Sequence, residues 1–252
     1  MVALTALGVG PARVAAADPQ AAMTQDTLDR MNADRSARSL TKYRRWAALD
    51  TVAAERAASM ASRDTLSHDA AGGDLGVEYD HSGIQWYGYG EIIGVSNATF
   101  GKPSAAMIYR LWKGSAPHAA IMFSRHYNYV GIGFAYRASN NTTWASIVFA
   151  DSKDHTGPKV ARDGRHVRGR TVTFAWRGHD RYLQTREAGL ASFDVEVRVD
   201  RGPWRMVRNN THATSLSLRN RARGHWYGYR VRGTDRRGNL SAWTSEGRVW
   251  VP

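Results

Sequence analysis

Apolar residues recur at three- and four-residue intervals early in the chain, first as Leu28 and Met31, then as Leu49, Val52, Ala53, Ala57 and Met60. One apolar stripe per segment predicts two amphipathic helices. Seven alanines between positions 47 and 61 favour the second helix and allow close approach to whatever packs on it. A third helix is expected to open at Pro103, with Met107, Ile108, Leu111 and Trp112 as its buried face and Gly114 near its end. Between them, residues 69–90 are rich in Gly and aromatics and end in Trp86-Tyr87-Gly88-Tyr89-Gly90-Glu91. They read as a long ordered loop carrying site residues. Two β-branched and aromatic runs, 129–136 and 143–150, flank Asn140-Asn141 and predict a hairpin. From Thr171 onward the pattern changes to strict alternation, with Val172, Phe174 and Trp176, then Phe193, Val195, Val197 and Val199, then Tyr227, Tyr229 and Val231. Short strands between Gly, Asp and Asn turns, with no helical stretch, predict an all-β sandwich.

The 252 residues are 42% hydrophobic and 23% charged, which suits one large or two ordinary domains and excludes wholesale disorder. Charge marks the boundary. Residues 1–150 hold 14 Lys and Arg against 12 Asp and Glu, whereas residues 151–252 hold 21 against 10, so nearly all of the net +13 lies in the second part. With the polar run Asp151 to Lys159, this divides the chain into a first unit at 24–151, a connection at 152–165 and a second unit at 166–252. Met1 to Ala17 is apolar, contains no Lys or Arg before Arg13, and ends Ala15-Ala16-Ala17 ahead of Asp18-Pro19. We read it as a signal peptide, which makes the protein secreted or associated with the cell envelope. Beyond it no apolar run is long enough to cross a membrane. The absence of cysteine excludes disulfides, thiolate zinc sites and cysteine nucleophiles.

His68, Glu91 and His118 are the residues best suited to chemistry, each in a loop or at an element's end among small neighbours. Two imidazoles and a carboxylate suit Zn²⁺ or another divalent ion with a position left for water. Alternatively Glu91 orients a histidine as general base, although no His-Glu-x-x-His helix or nucleophile elbow is present, and Ser67 and Ser115 stand out only by sequence proximity. Trp86, Tyr87 and Tyr89 offer faces that stack on a sugar or lipid, or else plug the core. The arginine-rich second unit invites attachment to an anionic polymer of the cell wall, or to acidic glycan or phospholipid headgroups. Nucleic acid ranks lower, because no DNA- or RNA-binding motif accompanies the charge.

These segments, in this order, resemble a bacterial CAP domain, the family of cysteine-rich secretory, antigen 5 and pathogenesis-related proteins. The carrying residues are the helix Leu28 to Arg35, Leu49 to Met60 leading into Leu66-Ser67-His68, then Gly90-Glu91-Ile92-Ile93-Gly94, Trp112 to Ile121 and Val130-Gly131-Ile132-Gly133. The resemblance implies an α+β fold, an α-β-α sandwich whose cleft gathers His68, Glu91 and His118. Ser115 stands where the eukaryotic members have a second acid, and Ile92 replaces the Asn after the Glu. Residues 166–252 are similar to a fibronectin type III or immunoglobulin-like domain, on Trp176, Tyr227 to Arg232 and Asp235 to Trp243, with Tyr227 as its corner tyrosine. Together these give a secreted two-domain protein that binds a small ligand, a lipid or a divalent metal such as zinc through His68, Glu91, His118, Ser115, Trp86 and Tyr89. The alternative is an envelope hydrolase, acting on peptide or glycan with the same cleft.

Overall fold

The computed structural model describes residues 18–252. The segment read as a signal peptide lies outside the described residues.

Helix α1 (Pro19–Ala37) starts where the Asp18 carboxylate accepts the Gln20 amide and Pro19 fills the first turn, several residues ahead of the first apolar pair. A two-residue strand, β1 (Arg44–Arg45), leads into α2 (Ala47–Arg63), which ends at Asp64 in the left-handed conformation. The stretch expected as a loop, 69–90, instead carries two short helices and the start of a strand. Ser67 caps α3 (His68–Ala71) through the Ala70 amide, and Asp74 caps α4 (Leu75–His81) through Gly76 and Val77. Caps of this kind satisfy the orphan amides that a glycine-rich composition hides from a periodicity scan. Strand β2 (Gly88–Ser96) follows, then α5 (Lys102–Gly114), α6 (Ala116–Met122), β3 (Tyr129–Arg137) and β4 (Thr142–Asp151).

These elements make three layers. The sheet order is β1-β3-β4-β2, with β1 parallel to β3 and the other pairs antiparallel. Ile92, Val130, Ile132, Phe134, Ala145, Ile147 and Phe149 face α1 and α5, while Tyr129, Val148 and Ala150 face α2 and α4. The two faces alternate residue by residue, as a sheet covered on both sides requires. On α5, Ile108, Tyr109 and Trp112 are buried, but Met107 and Leu111, expected in the core, are exposed.

The second unit contains β5 (Lys159–Arg168), β6 (Thr171–His179), β7 (Leu190–Val199), β8 (Arg205–Thr211), β9 (Ser215–Leu218), β10 (His225–Asp235) and β11 (Gly247–Val251). A four-stranded sheet, β11-β10-β7-β8, faces a three-stranded one, β5-β6-β9, over a core of Trp176, Phe174, Val195, Tyr229 and Val231. The expected corner is present, since the Tyr227 hydroxyl accepts the Ala222 amide at 2.9 Å and turns back to its carbonyl. On the outer face of the larger sheet, Arg198, Arg230 and Arg232 stack on Trp204 and Trp243 while pairing with Glu246, Glu196 and Asp194. Part of the arginine excess is thus spent on the fold itself.

The connection is shorter than 152–165 and is ordered. Strand β5 begins at Lys159, and Ser152 and Asp154 are buried. His155 stacks on Trp46 at 4.0 Å between ring centres and meets the Ser152 hydroxyl through Nε2. The loop between β6 and β7 then reaches back onto the first unit. Leu183 enters that unit's core beside Leu49, Tyr79 and Tyr129, and Gln184 accepts from the Arg35 guanidinium at 2.7 Å while donating to the carbonyls of Ser124 and Tyr127.

Candidate functional site

The apolar stripe of α2 places Arg56 among Val52, Ala53, Ala57 and Met60, facing the sheet with its residue fully buried. All of its donor nitrogens are engaged. Nε and Nη2 grip both oxygens of Glu91 at 2.6 and 2.7 Å, Nη1 donates to Glu78 at 2.5 Å, and Nη2 also reaches the Gly73 carbonyl at 3.1 Å. A paired carboxylate and guanidinium of this fork geometry is the strong form of a charge-assisted bond. Glu91 sits on β2, the edge strand of the sheet, and its remaining capacity is filled by the Ser146 hydroxyl at 2.8 Å and by His68 Nδ1 at 2.7 Å. Because the carboxylate only accepts, His68 presents Nδ1–H to it and leaves Nε2 facing outward, with its side chain 60% exposed. Burial alone would raise the Glu91 carboxyl, but the bonds from Arg56 and His68 outweigh it and hold the group below the ordinary glutamate range.

Two hollows lie end to end along β2. The first, about 260 Å³, is lined by His68, Asp74, Tyr89, Gly90 and Glu91. The Asp74 carboxylate, lowered chiefly by the Gly76 and Val77 amides, accepts the Tyr89 hydroxyl at 3.2 Å. The second, about 280 Å³, is lined by Leu66, Ile93, Ile108, Leu111, Trp112 and His118. Here Leu111 finds the reason for its exposure, as one wall of an apolar depression. The Trp112 indole donates to the Ile93 carbonyl at 2.7 Å, closing one of the edge strand's free acceptors.

The predicted residues are therefore divided. His68 and Glu91 bond directly. His118 stands in the neighbouring hollow, where its Nδ1 meets Ser115 Oγ at 2.8 Å, and burial followed by the charge of His68 lowers its basicity. The donor atoms of His68, Glu91 and His118 do not all fall within 4.8 Å of one another. Arg56 holds both Glu91 oxygens, and His68 meets the same carboxylate through Nδ1, so of the three expected ligands only His68 and Glu91 are brought together. Tyr89 lines the polar hollow, but Trp86 turns away, donating its indole to Asp80 and packing edge-on against Tyr89. Sequence reasoning missed Arg56, Glu78, Asp74 and Ser146. Only Arg56 carried a readable signal, a charge at a core-facing position of an apolar stripe.

The family model of the cysteine-rich secretory protein family, CAP, matches residues 28–149. Among solved structures, an extracellular protein containing an SCP domain from Bacillus anthracis is similar at 19% identity and TM-score 0.46, over 53% of this chain and 41% of that one. An outer surface protein from Borrelia burgdorferi is similar at 15% identity and TM-score 0.45, over 52% and 93%. A fibronectin type III-like protein from Clostridium thermocellum is similar at 19% identity and TM-score 0.28, over 38% and 96%. This chain spans less than half the length of the first of these. No curated protein sequence matches the chain.

Proposed function

Residues 28–149 form a domain of the cysteine-rich secretory protein family, and on that premise we propose that the protein is an exported binding protein whose cleft along β2 takes a small amphipathic molecule. The observation that carries this reading is the juxtaposition of a polar hollow, with an outward His68 Nε2, the Tyr89 hydroxyl and the ionised Asp74, and an apolar one walled by Leu66, Leu111 and Ile108. Hydroxyl groups of the ligand would bond at the first, and a hydrocarbon part would displace water from the second. Hydrolysis draws less support. The Glu91 carboxyl is held low and fully bonded, so it makes a poor proton donor near neutral pH, and the Ser115–His118 pair stands apart from it. Export is supported by the apolar segment ending Ala15-Ala16-Ala17.

Octyl glucoside, which joins a hydroxylated head to an alkyl tail, is a suitable calorimetric probe. His68→Ala is expected to weaken its binding about tenfold, the effect of losing roughly one hydrogen bond to a polar head. Leu111→Ser is expected to weaken it by a similar factor through the tail. Equal affinities in the wild type and both variants would remove the proposal.

A second reading concerns the basic unit. A hollow of about 480 Å³ in it is lined by Lys159, Arg177, His179, Arg181 and Trp243, a combination of cations and an aromatic face suited to an anionic polymer of the cell wall. Retention of the full chain on immobilised polyanion should fall steeply between about 50 and 200 mM salt. Arg181→Glu with Lys159→Glu should shift elution to lower salt, and an unchanged elution position would dismiss this reading.

A further inference from the structure

Three carboxylates meet where the two units join. Asp154 comes from the connection, Asp180 follows β6 and Asp235 ends β10, and one oxygen of each lies within 4.8 Å of the other two. All three residues are buried, at 1, 7 and 2% exposure. Asp154 accepts from the Thr156 amide and hydroxyl and the Tyr129 hydroxyl through Oδ1, and from the Ala188 amide through Oδ2. Asp235 accepts from the Arg237 and Asn239 amides and from the Asn239 side chain. Asp180 is different. Its Oδ1 accepts the Arg181 amide, with the Gly189 amide within reach of the carboxylate, but Oδ2 is enclosed and has no hydrogen-bond partner.

An enclosed, unbonded oxygen on a carboxylate grouped with two further buried acids is costly unless something positive or a proton joins it. Among the described residues, no ion pair includes any of the three. Arg44 feels Asp154 and Asp180 only at longer range, and Arg181 beside it repels Arg44. The donors are all hard oxygens, with no imidazole or thiolate among them. Two oxygens bound to one Ca²⁺ at about 2.4 Å each stand at most about 4.8 Å apart, whereas Zn²⁺ sites favour nitrogen and sulfur.

We propose that Asp154, Asp180 and Asp235 bind a calcium-class divalent cation that fastens the two units together. The site is separate from the β2 cleft and does not depend on the reading given to it. Binding would lock Asp154, which also holds Tyr129 of the first unit, to Asp180 and Asp235 of the second.

The test uses the full chain. Its melting temperature in chelator and in Ca²⁺ at about a hundredfold excess over the dissociation constant should differ by about 5 °C. Tb³⁺ should give luminescence sensitised through Tyr129, reversed by Ca²⁺. In Asp180→Asn the Ca²⁺ shift should vanish, while the melting temperature in chelator rises above that of the wild type because one buried charge is gone. If that variant does not fold, Asp154→Asn carries the same comparison. A wild type with equal melting temperatures and no displaceable Tb³⁺ signal overturns the proposal, as does a variant that keeps the wild-type Ca²⁺ response.

Discussion

Arg56→Met should lower the free energy of unfolding by about 3–5 kcal/mol, the cost of leaving a buried partner charge without its counterion. Glu91 is the group left behind. Its side chain is 6% exposed, both oxygens depend on the guanidinium, and only Ser146 and His68 would remain to hold it. The packing term is smaller, because methionine fills much of the same volume among Ala53, Ala57 and Met60. Urea unfolding provides the measurement. The double variant Arg56→Met with Glu91→Gln should recover a substantial part of the loss, since the stranded charge is then removed too. A single variant within about 1 kcal/mol of the wild type would show that the pair contributes little, and the cleft would lose its foundation.

The second large effect lies in the backbone. A Cβ added at Gly133 would stand 2.2 Å from the Ala53 carbonyl carbon, and one at Gly131 would stand 2.1 Å from that of Leu49. Both neighbours are helix main chain, which cannot rotate aside as a side-chain tip can. Gly133→Ala should therefore cost more than about 3 kcal/mol or prevent folding, at the upper end of overpacking effects. Gly88→Ala on β2 is the control. Its Cβ would meet nothing nearer than the Asp151 Cβ at 3.8 Å, so its melting temperature should stay close to that of the wild type. Similar losses in the two variants would mean that α2 does not sit against β3 as closely as described.

The sequence disclosed the elements better than the distances between them. Helical stripes, the hairpin and the alternating strands were legible because each is a local pattern, repeated within one element. Arg56, a charge on an apolar stripe, was a local signal that went unused, and nothing nearby named Glu91 and Glu78 as its partners. The His68–Glu91 contact joins positions 23 residues apart, and the exclusion of His118 from it depends on which side of an edge strand α6 falls. Spacing along the chain carries no such information. The two short helices in 68–81 were hidden for another reason, since they are set by Ser67 and Asp74 caps rather than by apolar period. Composition likewise misread the connection. Asp154 and His155 look like linker residues by type, but Oδ1 of Asp154 and the amide and Nε2 of His155 are engaged by Tyr129, Thr156 and Ser152.

The loop between β6 and β7 has a consequence for how this architecture can be rearranged. Leu183 belongs to the second unit by chain order and to the first by packing, and Gln184 and Thr185 extend the same graft through Arg35, Ser124 and Asn128. A cut at residue 151 would strip the first unit of a core side chain and leave several main-chain groups unanswered. The smallest piece that could be transplanted intact is thus not a contiguous stretch of sequence. A chimera that borrows either half must import these few foreign residues as well, or evolve a replacement for them.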